Sequence, residues 1–353
     1  MKIKLAILEK DTGYLNRIVN VFGTKYADKI QLYSFTDPQT ALETIESAKI
    51  DVLIASETIE LDLNKLPKRV GFAYFVESQD IDMLNGQRAV CKFQKADLIY
   101  KSILSIYSEN AGNVSGFKQG DENNKLIVFA PVSGGTGAST AAAACAMRFA
   151  ARGKKTLYLN LEKFGASDNF FTAEGQFDMS DIVFALKSKK TNLAIKLESC
   201  VRQADNGVYF YSQTKIALDM LELSTDDINR LVTELQVMGL YDYIILDCDF
   251  SIDKNSLTIL NKADNIVWVS DGSEISNTKL IRAYNALVTM EQNSESSIAG
   301  RIVTIYNKFS NKIGSKVEEP EIKNIGGAPR YQHATLHQVL EQLYNMDMFD
   351  KLM

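Results

Sequence analysis

The feature that most constrains the fold is a glycine-rich loop at residues 130–140, between an apolar run and an alanine-rich segment. The loop reads APVSGGTGAST. A strand, a glycine turn and a helix in this order form a phosphate-binding unit, because glycines let backbone N–H groups point inward and the helix N-terminus adds positive partial charge. The loop alone leaves open a tight turn without a ligand. We expect it to bind a di- or triphosphate through these residues: Gly134, Gly135, Thr136, Gly137, Ala138, Ser139 and Thr140.

Two later segments favour the phosphate interpretation. Residues 241–247, YDYIILD, form an apolar run that ends in Asp247. A carboxylate in that place holds Mg²⁺ in nucleoside triphosphatases, so we expect Asp247 and Ser139 to be metal ligands. Residues 156–162, TLYLNLE, read as a second strand that ends in polar groups, and Glu162 is the candidate catalytic residue. For Asp247, a carboxylate that only caps its strand is the alternative.

The segment from 124 to 353 resembles the deviant Walker A ATPases, the family of MinD and ParA. The family loop is KGGxGK followed by Ser or Thr, and its next strand ends in DxD. Here Ser133 and Ala138 stand at the positions of the two lysines, Asn160 at the first aspartate and Glu162 at the second. The resemblance implies a P-loop domain with a parallel sheet that binds ATP and Mg²⁺.

The same resemblance implies two residues on the side of the base. Asn307 matches the strand-end asparagine that reads adenine, and Pro329 matches the proline loop that packs on the base. A strand cap and an ordinary turn are the alternatives for these two positions.

Both family lysines are absent from the loop, and this affects catalysis more than binding. Backbone N–H groups and Mg²⁺ still hold the phosphates, whereas phosphoryl transfer depends almost wholly on positioning and electrostatics. We therefore expect ATP binding with slow or no hydrolysis. Lys163 and Arg330 are the nearest candidates in sequence to replace the lost charge, although a solvated surface role is favoured for each.

Residues 1–107 alternate short apolar runs with helical patterns, and they resemble an atypical, flavodoxin-like receiver domain of the response-regulator type. Glu9 and Asp11 match the acidic corner, and Ser56 stands where the phosphoacceptor aspartate belongs. Lys95 is matched to the family lysine, with Lys92 as the alternative. A serine cannot form an acyl phosphate, so we expect a degenerate receiver that serves as a docking surface.

Length, charge and composition bound the remaining possibilities. The 353 residues predict two domains, 1–107 and 124–353, joined by a polar linker at 108–123. The net charge of −5 argues against nucleic acid as a partner. Four cysteines without a CxxC pair, and only two histidines, suggest neither a disulfide scaffold nor a zinc site. With no apolar stretch long enough for a membrane helix, we expect a cytoplasmic protein without direct membrane insertion.

The C-terminal stretch 334–353 places apolar residues at helical spacing but carries more acidic than basic residues. A membrane-binding helix of this kind is normally basic. We therefore expect a helix that packs on the body of the protein or on a partner.

A receiver-like domain in front of a deviant Walker ATPase domain is the arrangement of the CpaE and TadZ pilus assembly proteins, and the chain resembles that family. The resemblance implies an ATP-binding homodimer that marks a cell pole or another site and recruits the Tad pilus secretion machinery. One alternative is an active MinD- or ParA-like ATPase that cycles on membrane or DNA. Another is an adaptor built on two ligand-free folds.

Overall fold

A computed structural model describes residues 2–110, 124–189, 191–292, 297–312 and 314–353. The chain divides into two compact units. The described residues of the first unit lie within 2–110, 175–177 and 184–200, and the others belong to the second unit.

The described residues contain strands at β1 (Ile3–Leu8), β2 (Ile30–Phe35), β3 (Val52–Ser56), β4 (Gly71–Val76), β5 (Met83–Leu84), β6 (Gln87–Cys91), β7 (Lys125–Phe129), β8 (Thr156–Asn160), β9 (Arg202–Gln203), β10 (Tyr209–Phe210), β11 (Tyr243–Asp247), β12 (Asn265–Ser270), β13 (Ile302–Phe309) and β14 (Lys323–Pro329). The α-helices are α1 (Thr12–Lys25), α2 (Pro38–Ala48), α3 (Ala96–Asn110), α4 (Ala138–Ala151), α5 (Met179–Ser188), α6 (Leu193–Cys200), α7 (Leu218–Leu221), α8 (Thr225–Met238), α9 (Lys254–Lys262), α10 (Glu274–Glu291) and α11 (Leu336–Tyr344).

The first unit contains a six-stranded sheet in the order β2-β1-β3-β4-β6-β5. All neighbouring strands are parallel except β5 and β6. Asp11 and Asp37 begin α1 and α2 by accepting hydrogen bonds from backbone N–H groups of the first turn. Apolar residues of the central strands pack under α1 and α3, which gives this unit its own core.

The expected alternation of strand and helix is incomplete in this unit. Only the short 3-10 turn Leu63–Lys65 lies between β3 and β4, and a β-hairpin replaces the helix between β4 and β6. Asn85 and Gly86 have φ of 50° and 74° in the hairpin turn. An Asn-Gly pair favours this conformation, and therefore a hairpin.

Helix α6 belongs to the first unit, although the sequence analysis assigns its residues to the second domain. It packs on α3, where the Lys196 side chain is buried and its Nζ donates to Ser105 Oγ at 2.9 Å. Glu198 of the same helix forms an ion pair with Lys29, the residue before β2, at 2.8 Å. Of the predicted linker, residues 108–110 continue α3, and 111–123 lie outside the described residues.

The second unit contains an eight-stranded sheet in the order β14-β13-β12-β7-β11-β8-β10-β9. The strands are parallel except for the pair β9 and β10. The alanine-rich helix α4 is buried against this sheet, because its small side chains allow a close approach. The predicted α/β class, with a receiver-like unit before a parallel-sheet P-loop unit, is confirmed.

The C-terminal segment packs on the body of the second unit, as one of the two predicted alternatives requires. Leu343 and Phe349, from α11 and the 3-10 turn Asp347–Leu352, are fully buried. Asp350 accepts two hydrogen bonds from Arg148 of α4, at 2.8 and 2.5 Å. Across the described part of the chain, no helix combines the length and the apolar character needed to cross a membrane.

Candidate nucleotide-binding site

The glycine loop connects β7 to α4 and leaves the start of that helix open. Gly135 and Gly137 have φ of 77° and 85°, in the left-handed region that favours glycine. Gly137 caps α4 without any side-chain hydrogen bond, and no side chain among the described residues accepts from the N–H groups of the first turn. This is the geometry with which a helix N-terminus binds phosphate.

The order of the strands brings the predicted polar residues to the same edge of the sheet. Strand β11 lies between β7 and β8, and Asp247 pairs in register with Phe129 of β7 and Asn160 of β8. Because these strands are parallel, their carboxyl ends meet where the glycine loop begins. Asp247, Asn160 and the loop are therefore brought together, as the sequence predicts.

A hydrogen-bond network joins the loop to the two carboxylates. Ser139 Oγ donates to Glu162 Oε1 at 3.2 Å. Asn160 Nδ2 contacts Glu162 Oε2 at 2.9 Å and Asp247 Oδ2 at 3.1 Å, and Tyr158 OH donates to Asp247 Oδ2 at 2.8 Å. The asparagine amide thus stands between two acidic groups that would repel each other directly, and the sequence analysis missed the part played by Tyr158.

Asp247 is fully buried, and its Oδ1 has no hydrogen-bond partner among the described residues. Burial, followed by the negative charge of Glu162, raises the pKa of Asp247 to about 8. An unpartnered buried oxygen that resists ionisation is a place where a cation would be stabilising.

These residues fit Mg²⁺, which prefers oxygen ligands and is commonly bound by one or two carboxylates together with substrate phosphates. Asp247, Glu162 and the Ser139 hydroxyl would supply the protein oxygens. No group of three or more His, Cys, Asp or Glu residues in the described ranges could hold a metal ion without such help. A bound Mg²⁺ would offset the repulsion between the two carboxylates and the phosphates.

The two residues expected on the side of the base lie at the ends of neighbouring strands, β13 and β14. Asn307 is buried and donates from Nδ2 to the carbonyl oxygen of Thr136, at 2.8 Å. Pro329 is exposed and pairs in register with Phe309. Their contact with adenine stays a prediction, but the structure places Asn307 directly against the loop.

The positively charged side chain that contacts the glycine loop is Lys308, and not Lys163 or Arg330, the two candidates to replace the charge of the missing lysines. Lys308 Nζ donates to the carbonyl oxygen of Gly135 at 2.7 Å. Lys163 and Arg330 are exposed, and in the described part of the chain neither side chain hydrogen-bonds to the loop. The available signal was the position of Lys308 directly after Asn307, at the carboxyl end of a strand.

The receiver site contains a buried ion pair. Lys92 Nζ lies 2.6 Å from Glu9 Oε2 and 3.2 Å from Ser56 Oγ. Lys92, the alternative, lies at this site, whereas Lys95 is exposed, and the match of either one to the family lysine stays a prediction. Strand β6 ends at Cys91, so Lys92 is the first residue after the strand.

Two family models match the chain, one over the residues of the receiver site and the other over the residues of the glycine loop. Residues 1–108 match the model of the TadZ-like receiver domain, and residues 124–299 match that of an AAA domain. The chain has the TadZ-like domain architecture. A search of the curated proteins gives no match.

Several solved structures are similar to this chain. A ParA family ATPase from Chlorobium tepidum is 20% identical and has a TM-score of 0.49, with 66% of this chain and 93% of that chain covered. A MinD from Pyrococcus horikoshii complexed with Mg-ADP is 16% identical, with a TM-score of 0.48 over 62% and 86%. A plasmid partition protein from Borrelia burgdorferi bound to AMPPNP is 17% identical, with a TM-score of 0.45 over 65% and 95%.

The TadZ-like receiver domain also lacks an available acidic corner. Asp11 Oδ1 accepts from the backbone N–H groups of Gly13 and Tyr14, at 2.8 and 3.0 Å, and so caps α1. The hydrogen bond from Tyr14 lowers the pKa of Asp11. With Asp11 engaged in the cap and Glu9 paired to Lys92, the residues that resemble a metal site already have partners within the chain.

Proposed function

We propose that the chain is an ATP-binding, homodimeric localisation protein for Tad pilus assembly, in which nucleotide stabilises the dimer and hydrolysis is weak or absent. The TadZ-like receiver domain and the following AAA domain support the assignment to pilus assembly. The partners would be proteins of the Tad secretion machinery, which would hold the protein at a site such as a cell pole. The net charge of −5 favours protein partners over nucleic acid.

The observation that carries the proposal is the open start of α4 beside an unpartnered carboxylate oxygen. Within the residues that the structure describes, Gly137 leaves the helix N-terminus without a side-chain cap, and Asp247 Oδ1 is buried without a hydrogen-bond partner. Donors for phosphate and a ligand for Mg²⁺ thus lie at the same sheet edge. Together they fit the polyphosphate of Mg-ATP better than either group would alone.

Slow hydrolysis follows from the side chains around this edge. Ser133 and Ala138 carry no charge, and Lys308 donates to the carbonyl oxygen of Gly135. Glu162 accepts hydrogen bonds on both of its oxygens, from Ser139 and Asn160. A transferring phosphoryl group would lack the charge of the two family lysines, and the candidate base would first have to lose an existing contact.

A nucleotide that is hardly hydrolysed acts by mass action. If the dimer binds Mg-ATP more tightly than the single chain does, the ligand shifts the equilibrium towards the dimer. The size of that shift grows with ligand concentration over the dissociation constant. Nucleotide then has a structural role, and the cycle of a MinD- or ParA-like ATPase is not required.

The test is made on the full chain. Bound nucleotide, mass by light scattering with and without Mg-ATP, and phosphate release are measured on the same sample. We expect a Mg-ATP-bound dimer with almost no phosphate release. Rapid release would support the cycling ATPase instead, and the absence of any nucleotide binding would support the ligand-free adaptor.

A matched pair of loop variants links the result to the site. Ser139→Ala removes a hydroxyl that contacts Glu162 and should weaken Mg²⁺-dependent ATP binding about tenfold or more. Ser133→Ala makes the same chemical change in the same loop, at a hydroxyl for which no hydrogen bond is found in the described residues, and should leave binding unchanged. Equal effects from both variants would contradict the assignment of Ser139.

A further inference from the structure

Two side chains at the end of β13 hydrogen-bond to two successive backbone carbonyls of the glycine loop. Lys308 Nζ donates to the Gly135 carbonyl oxygen at 2.7 Å, and Asn307 Nδ2 donates to the Thr136 carbonyl oxygen at 2.8 Å. Asn307 and Thr136 are 4% and 2% exposed. Two neighbouring carbonyls of the loop are therefore fixed by side chains from another strand.

The fit at this contact is close. A Cβ atom at Gly137 would lie 2.5 Å from Asn307 Nδ2 and 3.6 Å from Lys308 Cε. Lys308 itself has φ of 58°, in the left-handed region that residues other than glycine rarely adopt. The pairing of β13 with β14 also shifts register between Tyr306 and Phe309, around this residue. A backbone conformation that is unfavourable for a residue other than glycine persists only where the surrounding contacts stabilise it.

Peptide geometry links these outer contacts to the inner face of the loop. The carbonyl of one residue and the N–H of the next share a planar trans peptide and point in opposite directions. Fixing the carbonyls of Gly135 and Thr136 therefore turns the N–H groups of Thr136 and Gly137 to the opposite side. In the described part of the chain, neither N–H has a hydrogen-bond acceptor.

We propose that Asn307 and Lys308 form a clamp that presents the N–H groups of Thr136 and Gly137 to a polyphosphate, with Lys308 as a positioning residue. Lys308 is also the cationic side chain that hydrogen-bonds to the loop within the described residues. The clamp explains how a loop that lacks both family lysines keeps a conformation fit for phosphate. This inference rests on the proposed function, because it assumes that the loop binds nucleotide.

The test compares Lys308→Met, Lys308→Arg and the control Lys312→Met, which removes an exposed cation four residues away. Binding of Mg-ATP and of inorganic tripolyphosphate to the full chain is measured by calorimetry. Lys308→Met should weaken both ligands about ten- to a hundredfold, the range of one charge-assisted hydrogen bond. Lys308→Arg should recover most of the affinity, and Lys312→Met should bind within twofold of the unchanged chain.

Tripolyphosphate separates the clamp from recognition of the base, because it contains no base. A loss confined to ATP would overturn the inference and would assign Lys308 to the nucleoside instead. Affinity of Lys308→Met within twofold of the unchanged chain would also overturn it, while leaving the proposed function intact. If the unchanged chain binds neither ligand, the proposed function itself fails. Fluorescence of Trp268, the one tryptophan, checks that each variant is folded.

Discussion

Replacing Asp247 by Asn should stabilise the nucleotide-free protein, although it removes a proposed metal ligand. Burial and the charge of Glu162 raise the pKa of Asp247 from 3.8 to about 8. Between these values the folded protein holds a proton that the unfolded chain has released, so its stability falls as the pH rises. An asparagine fills almost the same volume, stays neutral and can still accept from Tyr158.

The pKa shift sets the size of the effect. Each pKa unit corresponds to about 1.4 kcal/mol, so at pH 7 the variant gains at most about 4 kcal/mol over the unchanged protein. At pH 5 the same calculation gives about 2 kcal/mol, and near pH 4 the difference vanishes. The gain should therefore grow with pH up to about 8, where Asp247 ionises in the folded state.

Urea unfolding at several pH values, followed by Trp268 fluorescence, measures this difference in the second unit. With Mg-ATP present, the unchanged protein should be the more stable of the two. The variant lacks a ligand for Mg²⁺, so it binds Mg-ATP less tightly and is stabilised less by it. A variant no more stable than the unchanged protein, or a difference independent of pH, would refute the reasoning about the buried carboxylate.

Three further outcomes follow from other contacts. Gly137→Ala should abolish ATP binding in calorimetry, because its Cβ would lie 2.5 Å from an amide nitrogen, whereas Gly23→Ala in α1, with nothing within 4 Å, should bind normally. Lys92→Met leaves Glu9 as a buried unpaired charge and should lower the free energy of unfolding by about 3–5 kcal/mol, measured by circular dichroism in urea, with partial recovery when Glu9→Gln is added. Hydrogen bonds from arginine lower the pKa of Asp350 to about 2, so stability should fall as the pH drops from 4 towards 2, and Asp350→Asn should lack that decrease.

The sequence predicts the sheets well because buried parallel strands read as short apolar runs. Strand β8, Thr156–Asn160, lies within the predicted run 156–162, and strand β11, Tyr243–Asp247, lies within the apolar run 241–247. The hairpin after β4 was missed, since strand and helix alternation was extended through residues 77–86. The position of α6 in the first unit could not be predicted, because an apolar helix face does not specify which core it will enter.

The sequence predicts those residues of the nucleotide-binding site that lie at the carboxyl ends of parallel strands. Asp247 and Asn160 meet at the loop because parallel strands end at one edge. Side-chain direction was harder to predict. Lys92 lies at the receiver site whereas Lys95 is exposed, and Lys308 reaches the loop from a left-handed backbone conformation.

Because α6 belongs to the first unit, this unit cannot fold completely from the N-terminal segment alone. Domains commonly fold in order as they leave the ribosome, the N-terminal one first. Here the first unit includes residues 184–200, so it is complete only after the glycine loop, α4 and β8 have been translated. A fragment that ends at residue 110 would lack the helix that covers α3. The two halves should therefore be expressed together, and an exchange of receiver domains between related chains would have to carry α6 along.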